Sequence, residues 1–234
     1  MILVQHPTVW PKSLENRRNN PGDNGIPLNP MNSWNSFRGK EELRSHLLST
    51  QKGLCPYCEL KLDTELGNHI EHIQPKTANP HLTFEYTNLI LSCFSSNELR
   101  NYGSSARSCG HYKDSAVHHL PLDFNRFISP TDPNCESYFH YELNGEIGMS
   151  PLFSNDSLIA SKVKYTIERL NLNCNRLVRQ REEVINDGFN IIHEFGDDQQ
   201  ALNMFIELEF QITNQRYLFP FINLRKQFFE WYKI

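Results

Sequence analysis

The first regular pattern of hydrophobic and polar residues begins at Lys40. Leu43, Leu47 and Leu48 follow at the spacing of one helical face. The pattern stops at Gly53, and glycine commonly ends helices because it adopts a left-handed backbone at no steric cost. We therefore predict a short helix between Lys40 and Gly53.

A longer helical pattern covers the chain from Ser157 onward. Its apolar residues keep helical spacing in three stretches: Val163, Ile167 and Leu170; Leu177, Val178, Val184, Ile185, Phe189 and Ile192; and Leu202, Phe205 and Leu208. Asp197 is expected to cap the third helix, and Pro220 is well placed to start a fourth over residues 221–232. The C-terminal half is therefore predicted to be mostly helical.

Three other stretches have the composition of strands. Residues 68–75 contain apolar residues in loose alternation and end at a proline, and residues 83–92 combine β-branched, aromatic and apolar side chains. Residues 120–150 contain the pair Asn144-Gly145, which is typical of a tight hairpin turn. Strands in one part of the chain and helices in another indicate the α+β class.

The first 36 residues show no apolar period and are rich in Pro, Asn and Gly, which predicts a loop or an extended arm. The arm nevertheless contains Trp10, Met31 and Trp34, and the helices from Phe205 to Tyr232 are also rich in aromatic residues. Aromatic anchors in polar surroundings are typical of protein interfaces. We expect the arm, the C-terminal helices or both to dock on another protein chain; alternatively, these side chains pack inside this one.

These patterns divide the chain into three parts. Residues 1–36 form the arm, residues 37–125 a core that holds four of the six cysteines, and residues 126–234 a hairpin followed by helices packed on that core. With 234 residues, the chain is long enough to bury a substantial hydrophobic core.

Composition narrows the class of protein. No run approaches the roughly eighteen apolar residues of a membrane helix, and the start of the chain is too short a hydrophobic stretch for a signal peptide, which predicts a cytoplasmic protein without a membrane contact. There, the six cysteines are expected to be metal ligands or free thiols. The net charge of −4 argues against general polyanion binding, although basic residues cluster between Lys162 and Glu183.

Four cysteines have the spacing of a zinc site. Cys55 and Cys58 are separated by two residues, so both thiolates can bind one ion from a single turn. Cys93 follows the apolar run 89–91 and Cys109 precedes a glycine, so both are expected at the ends of structural elements. We predict that the four cysteines bind one structural Zn²⁺.

Residues suited to phosphodiester hydrolysis lie between and beside these cysteines. His72 can take a proton from water near neutral pH, and Asn88 can order the loop opposite it. Glu71 and His111 can hold a catalytic Mg²⁺ or Mn²⁺, with His69 as the substitute ligand if Glu71 fails. This set predicts a metal-dependent nuclease with His72, Asn88 and His111 as its catalytic residues.

A second hypothesis stays open at this point. Cys-x-x-Cys pairs occur in many zinc ribbons, so the chain can instead be a zinc-organised module that binds nucleic acid or protein without cutting. His72 and Asn88 favour the nuclease, because a pure zinc ribbon needs neither. Arg100 and Arg107, in the polar stretch 94–108, are candidate phosphate contacts or ordinary exposed arginines.

Taken together, the motifs resemble one known family. The strings are Cys55-Pro-Tyr-Cys58-Glu, Ile70-Glu-His-Ile-Gln-Pro-Lys76, Thr83-Phe-Glu-Tyr-Thr-Asn-Leu89 and Cys109-Gly-His-Tyr-Lys113. They resemble the HNH subunit of Septu-type anti-phage systems (PtuB), which is also found with some retrons. The likeness extends over roughly residues 40–185.

The resemblance implies a zinc-stabilised ββα-metal (HNH) core and cleavage of nucleic acid, with DNA favoured and RNA, such as tRNA, as the alternative. It also implies a partner ATPase of the SMC/ABC-like kind that restrains or licenses the nuclease. Two features depart from the commoner HNH pattern. Glu71 replaces the usual Asp, and a fifteen-residue insertion separates the last two cysteines.

Overall fold

The computed structural model describes residues 1–19, 27–64, 66–101, 103–211 and 218–231. These residues combine helices with two small antiparallel sheets. The helices are α1 (Lys12–Arg18), α2 (Pro30–Ser36), α3 (Lys40–Thr50), α4 (Cys109–Lys113), α5 (Ser157–Leu170), α6 (Asn175–Phe195), α7 (Gln199–Gln211) and α8 (Ile222–Glu230). The strands are β1 (Asn68–His72), β2 (Leu89–Cys93), β3 (Phe139–Tyr141) and β4 (Ile147–Met149). None of the described helices is both long and apolar enough to span a membrane.

The first sheet carries the central motif. β1 and β2 run antiparallel, with His72 opposite Leu89. All of β2 is buried, which explains why its sequence is a run of apolar residues rather than an alternation. The predicted helix before the first cysteine pair is confirmed as α3. The Gln51 side chain, just after α3, donates to the Leu91 carbonyl and accepts from the Leu91 amide, so it joins α3 to β2.

Both predicted strands of this sheet are shorter than expected. The strand predicted over 68–75 ends at His72, because the Asn88 side chain binds the Gln74 amide and draws the next residues out of the sheet. In the stretch predicted over 83–92, the residues before β2 form tight turns, including a 3-10 turn over Tyr86–Asn88.

The fourth cysteine of the central motif opens a short helix, α4. It begins at Cys109 and ends after five residues at Lys113. Cys109 has a positive φ of 62°, so the chain turns sharply into the helix at the cysteine itself. At the other end, the Lys113 side chain is anchored to the end of β1.

The hairpin turn predicted at Asn144-Gly145 is confirmed and joins β3 to β4. Side-chain amides cover both outer edges of this hairpin. Asn173 pairs with the main chain of Ile147, and Gln227 pairs with the main chain of Tyr141. These amides replace neighbouring strands and tie the hairpin to the helices.

The helices predicted from Ser157 onward are confirmed as α5 to α8. One predicted cap is displaced by a residue. Asp198, not Asp197, caps α7, and its carboxylate accepts from the Ala201 amide. The last helix begins at Ile222, one residue later than predicted, and the end of the predicted range 221–232 lies outside the described residues.

The prediction of an extended arm over residues 1–36 is wrong for residues 12–18 and 30–36. α1 and α2 form there, and Met1, Leu14 and Trp34 are buried in the main hydrophobic core. Helices of seven residues are too short to show an apolar period, so the sequence did not indicate them. The large side chains buried here therefore pack inside this chain; residues 20–26 lie outside the described ranges.

A buried carboxylate joins distant parts of the chain. Glu59, directly after the first cysteine pair, is fully buried and accepts a hydrogen bond of 2.7 Å from the Met1 ammonium. It also accepts from the main-chain amide of Asn223 at 2.9 Å. Burial alone would raise the pKa of Glu59, but the Met1 ammonium and the hydrogen bonds outweigh it and hold that pKa below its usual value.

A buried arginine links the hairpin to the helices. Arg181 on α6 is 1% exposed, and it donates to the Gly145 carbonyl at 3.0 Å and to the Leu172 carbonyl at 2.8 Å. Its guanidinium also lies near the rings of Tyr141 and Phe221. Arg181 therefore serves as the donor for two carbonyls at turns of the chain.

Replacing Arg181 with Met removes both donors and keeps much of the side-chain volume. We expect the Arg181→Met change to lower the free energy of unfolding by about 2–4 kcal/mol, because two buried carbonyls lose their partner. Urea denaturation measures this change. Arg179→Met, an exposed position on the same helix, is the control and should change stability by about 0.5 kcal/mol or less. Equal effects of the two substitutions would contradict the assigned role of Arg181.

Candidate active site and metal centre

The four predicted zinc ligands converge in the structure. Cys55, Cys58, Cys93 and Cys109 are all buried, and their sulfur atoms lie within 4.8 Å of one another. None of the four is in a disulfide. Tetrahedral zinc with Zn–S bonds of about 2.3 Å requires sulfurs about 3.8 Å apart, and the sulfurs of Cys58 and Cys93 are 3.7 Å apart. This donor set fits a structural zinc ion.

The cysteines come from three elements. Cys55 and Cys58 lie on the turn after α3, where the Cys55 carbonyl accepts from the Glu59 amide. Cys93 is the last residue of β2 and Cys109 the first of α4. A metal ion bound here therefore joins the turn, the sheet and the short helix that follows the insertion.

A second cluster of polar side chains lies beside the cysteines. His69 and Glu71 are on the same face of β1, because alternate residues of a strand share a face, and His69 Nε2 is 3.2 Å from Glu71 Oε2. α4 brings His111 against them, with the rings of His69 and His111 centred 3.8 Å apart. Gly110 makes this approach possible, because a Cβ there would lie 2.6 Å from the Glu71 carboxyl carbon.

Glu71 and His111 have the character of metal ligands. Burial by itself would raise the pKa of Glu71, but the charge of Lys113 and the contact with His69 outweigh it and hold the carboxylate ionised. Burial and the neighbouring His69 lower the pKa of His111 to about 4, so its ring is neutral at pH 7. His111 Nε2 is buried and makes no hydrogen bond to the described residues. A buried carboxylate and a free imidazole nitrogen suit a borderline divalent ion such as Mn²⁺, or Mg²⁺.

His72 lies at the end of β1, next to this pair. It is 4% exposed, its Nε2 contacts the Thr83 carbonyl at 3.0 Å, and its ring packs edge-on against Trp34. Burial, together with the charge of Lys76, lowers the pKa of His72 to about 4, so the ring is unprotonated at neutral pH. With Nε2 engaged, Nδ1 is the ring nitrogen available to take a proton.

Asn88 orders the loop beside His72. Its Oδ1 accepts from the Gln74 amide at 2.8 Å, and its Nδ2 donates to the carbonyls of Gln74 and Leu82. Leu82 directly precedes Thr83, whose carbonyl contacts His72. Asn88 therefore orders this loop through main-chain contacts, and its role in catalysis stays a prediction.

His72 and the cluster of His69, Glu71 and His111 line one cleft of about 1010 Å³. Its lining includes His69, Glu71, His72, Lys76, His111, Asp114, His118 and Arg169. Arg100 and Arg107 do not line this cleft. The insertion that carries them is instead held by the corner between α5 and α6, where Asn171 donates to the Arg107 carbonyl and Arg176 to the Ser108 hydroxyl.

Three further residues lie at the candidate site in the structure: His69, Gly110 and Lys113. The sequence named His69 only as a substitute ligand, and gave no role to Gly110 or Lys113. The alternation of β1 was the signal for His69, since it places His69 on the face of Glu71. The roles of Gly110 and Lys113 depend on contacts between α4 and β1. No local sequence pattern indicates these contacts.

We expect the protein to contain one zinc ion per chain and Cys58→Ser to lose it, because three cysteines cannot complete the tetrahedral sulfur site. Elemental analysis of purified protein measures the zinc content. Cys174→Ser is the matched control: Cys174 is buried but lies at the N-cap of α6, outside the cluster, where serine is well tolerated. Full zinc content in folded Cys58→Ser protein would contradict the assignment.

Comparisons with known proteins identify relatives of this chain. No family model matches the chain. It is 31% identical over 157 residues to the protein assigned as the HNH endonuclease of retron Vc95 in Vibrio cholerae, covering 65% of this chain and 68% of that protein. It is 29% identical over 187 residues to the corresponding protein of retron Ec83 in Escherichia coli, covering 67% and 72%. Identity to the Septu protein PtuB of Bacillus thuringiensis is 26% over 182 residues, covering 70% and 66%. The chain therefore belongs to the HNH endonuclease family of retron and Septu defence systems.

Proposed function

We propose that this chain is a metal-dependent HNH endonuclease that hydrolyses phosphodiester bonds of nucleic acid, with DNA as the favoured substrate. One observation carries the proposal. His72, unprotonated and fixed by the Thr83 carbonyl, lines the same cleft as the Glu71–His111 pair. A base and a divalent-ion site side by side are what hydrolysis of a phosphodiester requires.

In the proposed reaction, His72 Nδ1 takes a proton from a water molecule as its oxygen attacks the phosphorus atom. The bond from phosphorus to the leaving oxygen breaks, and the departing oxyanion takes a proton from solvent. Glu71 and His111 would hold Mg²⁺ or Mn²⁺, which would supply positive charge for the phosphate.

The arrangement of elements supports a ββα-metal core. β1 carries Glu71 and His72, β2 pairs with β1, and α4 adds His111. We propose that residues 37–125 form this nuclease core, braced by the structural zinc ion, and that residues 126–234 support it. In this proposal the protein works in the cytoplasm, where thiols such as its six free cysteines stay reduced.

Lys76 is the cleft residue best placed to meet a phosphate. It lines the cleft shortly after the end of β1. It has no hydrogen-bond or ion-pair partner among the described residues. Burial lowers the pKa of Lys76, with the charges of Glu71 and Asp114 acting in the opposite direction. A cation partly withdrawn from water interacts more strongly with a phosphate than an exposed one does.

We further propose that the protein acts in anti-phage defence with an SMC/ABC-like ATPase, as the similarity to the Septu protein PtuB suggests. The buried side chains of residues 1–36 are excluded as docking anchors, because this chain covers them. Met31 of the arm, which is 44% exposed, remains a candidate anchor, and so does the surface of the C-terminal helices. Met204, Leu208 and Trp231 there are between 45% and 59% exposed, and apolar side chains of this size favour an interface.

The function is tested by incubating plasmid DNA, single-stranded DNA and tRNA with the chain alone and after copurification with an SMC/ABC-like ATPase as the proposed partner. Each reaction is run with Mg²⁺ or Mn²⁺ and again with EDTA. The proposal expects metal-dependent cleavage of DNA. Cleavage of tRNA alone would make the protein a tRNA-directed nuclease, and binding without cleavage under every condition would favour the zinc-organised binding module.

His72→Ala should reduce the cleavage rate by about 10²–10⁴-fold or more, because the proton of the attacking water loses its acceptor. Zinc content should stay at the wild-type level and the variant should remain folded, with a lower melting temperature because a buried ring and its contact with the Thr83 carbonyl are lost. The control is His46→Ala, an exposed histidine on α3 outside the cleft, which should cleave normally. Wild-type turnover by folded His72→Ala protein would remove His72 as the base.

Gly110→Ala should also impair cleavage, by about tenfold or more, while zinc stays bound. The added methyl group would displace the Glu71 carboxylate, which is the nearest group to the new atom. Gly148→Ala is the control, because a Cβ there meets nothing within 4 Å. Equal, unimpaired cleavage rates for both variants would show that the position of Glu71 does not limit the reaction.

A further inference from the structure

Lys113 is a charged side chain in an unusual place. It is completely buried, although lysine is among the residues least often found fully inside a protein. Its Nζ lies 3.1 Å from the carbonyl oxygens of both His72 and Ile73 and 2.9 Å from Glu71 Oε1. Both carboxylate oxygens of Asp114 are 3.0 Å away. Five oxygens therefore surround one ammonium group.

These oxygens belong to the two elements that build the proposed active site. Glu71 and His72 are the last residues of β1, and Asp114 directly follows α4, the helix that carries His111. The ammonium therefore ties the strand to the helix at the point where the base and the metal ligands meet. The hydrogen bond to the His72 carbonyl acts on the main chain of the base itself.

The two oxygens of Glu71 have different surroundings. Oε1 is next to Lys113, whereas Oε2 points to His69 and toward the side where His111 lies. A carboxylate held at one oxygen by a fixed cation keeps the other oxygen in one direction. Lys113 also neutralises one of the two negative charges of Glu71 and Asp114. The three side chains together therefore carry one net negative charge, which would attract a divalent ion.

We infer that Lys113 is a positioning residue of the proposed nuclease centre, which acts by orienting Glu71 for the divalent ion and by fixing the main chain of His72. This inference rests on the proposed function. A purely structural lysine would stabilise the fold without changing metal binding or responding to an added cation. The two roles therefore predict different results.

Chemical rescue provides the first test. Lys113→Ala should reduce the cleavage rate by about 10²-fold, since small displacements of catalytic groups have effects of this size. Methylammonium or ethylammonium should restore part of the rate with saturation, by entering the cavity among the five oxygens. Lys113→Met should be equally slow and resist rescue, because its side chain fills that cavity. Lys164→Ala, an exposed lysine on α5, is the control and should behave as wild type with and without amine.

Mn²⁺ binding, measured by electron paramagnetic resonance, provides a reading that does not depend on cleavage. Lys113→Met should bind Mn²⁺ about 10–100-fold more weakly than wild type, as expected when a group that orients a ligand is lost. Unchanged or tighter binding, or absence of amine rescue in a folded and zinc-loaded Lys113→Ala protein, would overturn the inference. Loss of zinc and of folding in both variants would also overturn it, by showing a structural role.

The outcomes also separate this inference from the proposed function. If wild-type protein binds Mn²⁺ and cleaves, and the Lys113 variants keep both properties, only the role of Lys113 is rejected. If wild-type protein binds Mn²⁺ but cleaves none of the substrates, nuclease function fails and the Mn²⁺ affinity of Lys113→Met decides the role of Lys113. If wild-type protein does neither, both proposals fall.

Discussion

The convergence of four buried cysteines is the constraint on which the rest of the site depends. It joins a turn, the end of β2 and the start of α4, three pieces that are far apart along the chain. α4 has only five residues, too few to form a stable helix by itself. Its position, and therefore that of His111, is set by Cys109 at one end and by Lys113 at the other.

The site also depends on buried charged groups that each contact a group of opposite charge. Glu71 is opposed by Lys113, and Glu59, beside the first cysteine pair, by the Met1 ammonium. An unpaired buried charge is costly, so removing either partner leaves the other strongly destabilised. Both pairs lie next to the cysteine cluster, and the geometry of metal sites and cleft is therefore coupled to the stability of the core.

The helical half of the chain contributes to the same site from outside. The fifteen-residue insertion before Cys109 lengthens the path between the last two cysteines, and a long loop weakens the coupling between its ends. Asn171 and Arg176 bind the insertion close to Cys109. They therefore reduce the length of unattached chain between the last two cysteines. This contact gives a physical reason why α5 and α6 pack against the part of the chain that carries Cys109.

The sequence by itself determined the elements with long local patterns and the identity of the chemical groups. Residue spacing was enough to locate α3, the hairpin turn and the C-terminal helices, and to name the cysteines, Glu71, His72, Asn88 and His111. Tertiary structure decided the rest. α1 and α2 are too short for a period and fold because Leu14 and Trp34 find partners in the core. β1 ends at His72 because the Asn88 side chain binds the main chain of the residues that follow. The five oxygens surround Lys113 only when α4 packs against β1. Such contacts join residues distant in sequence, and no local pattern of side chains encodes them.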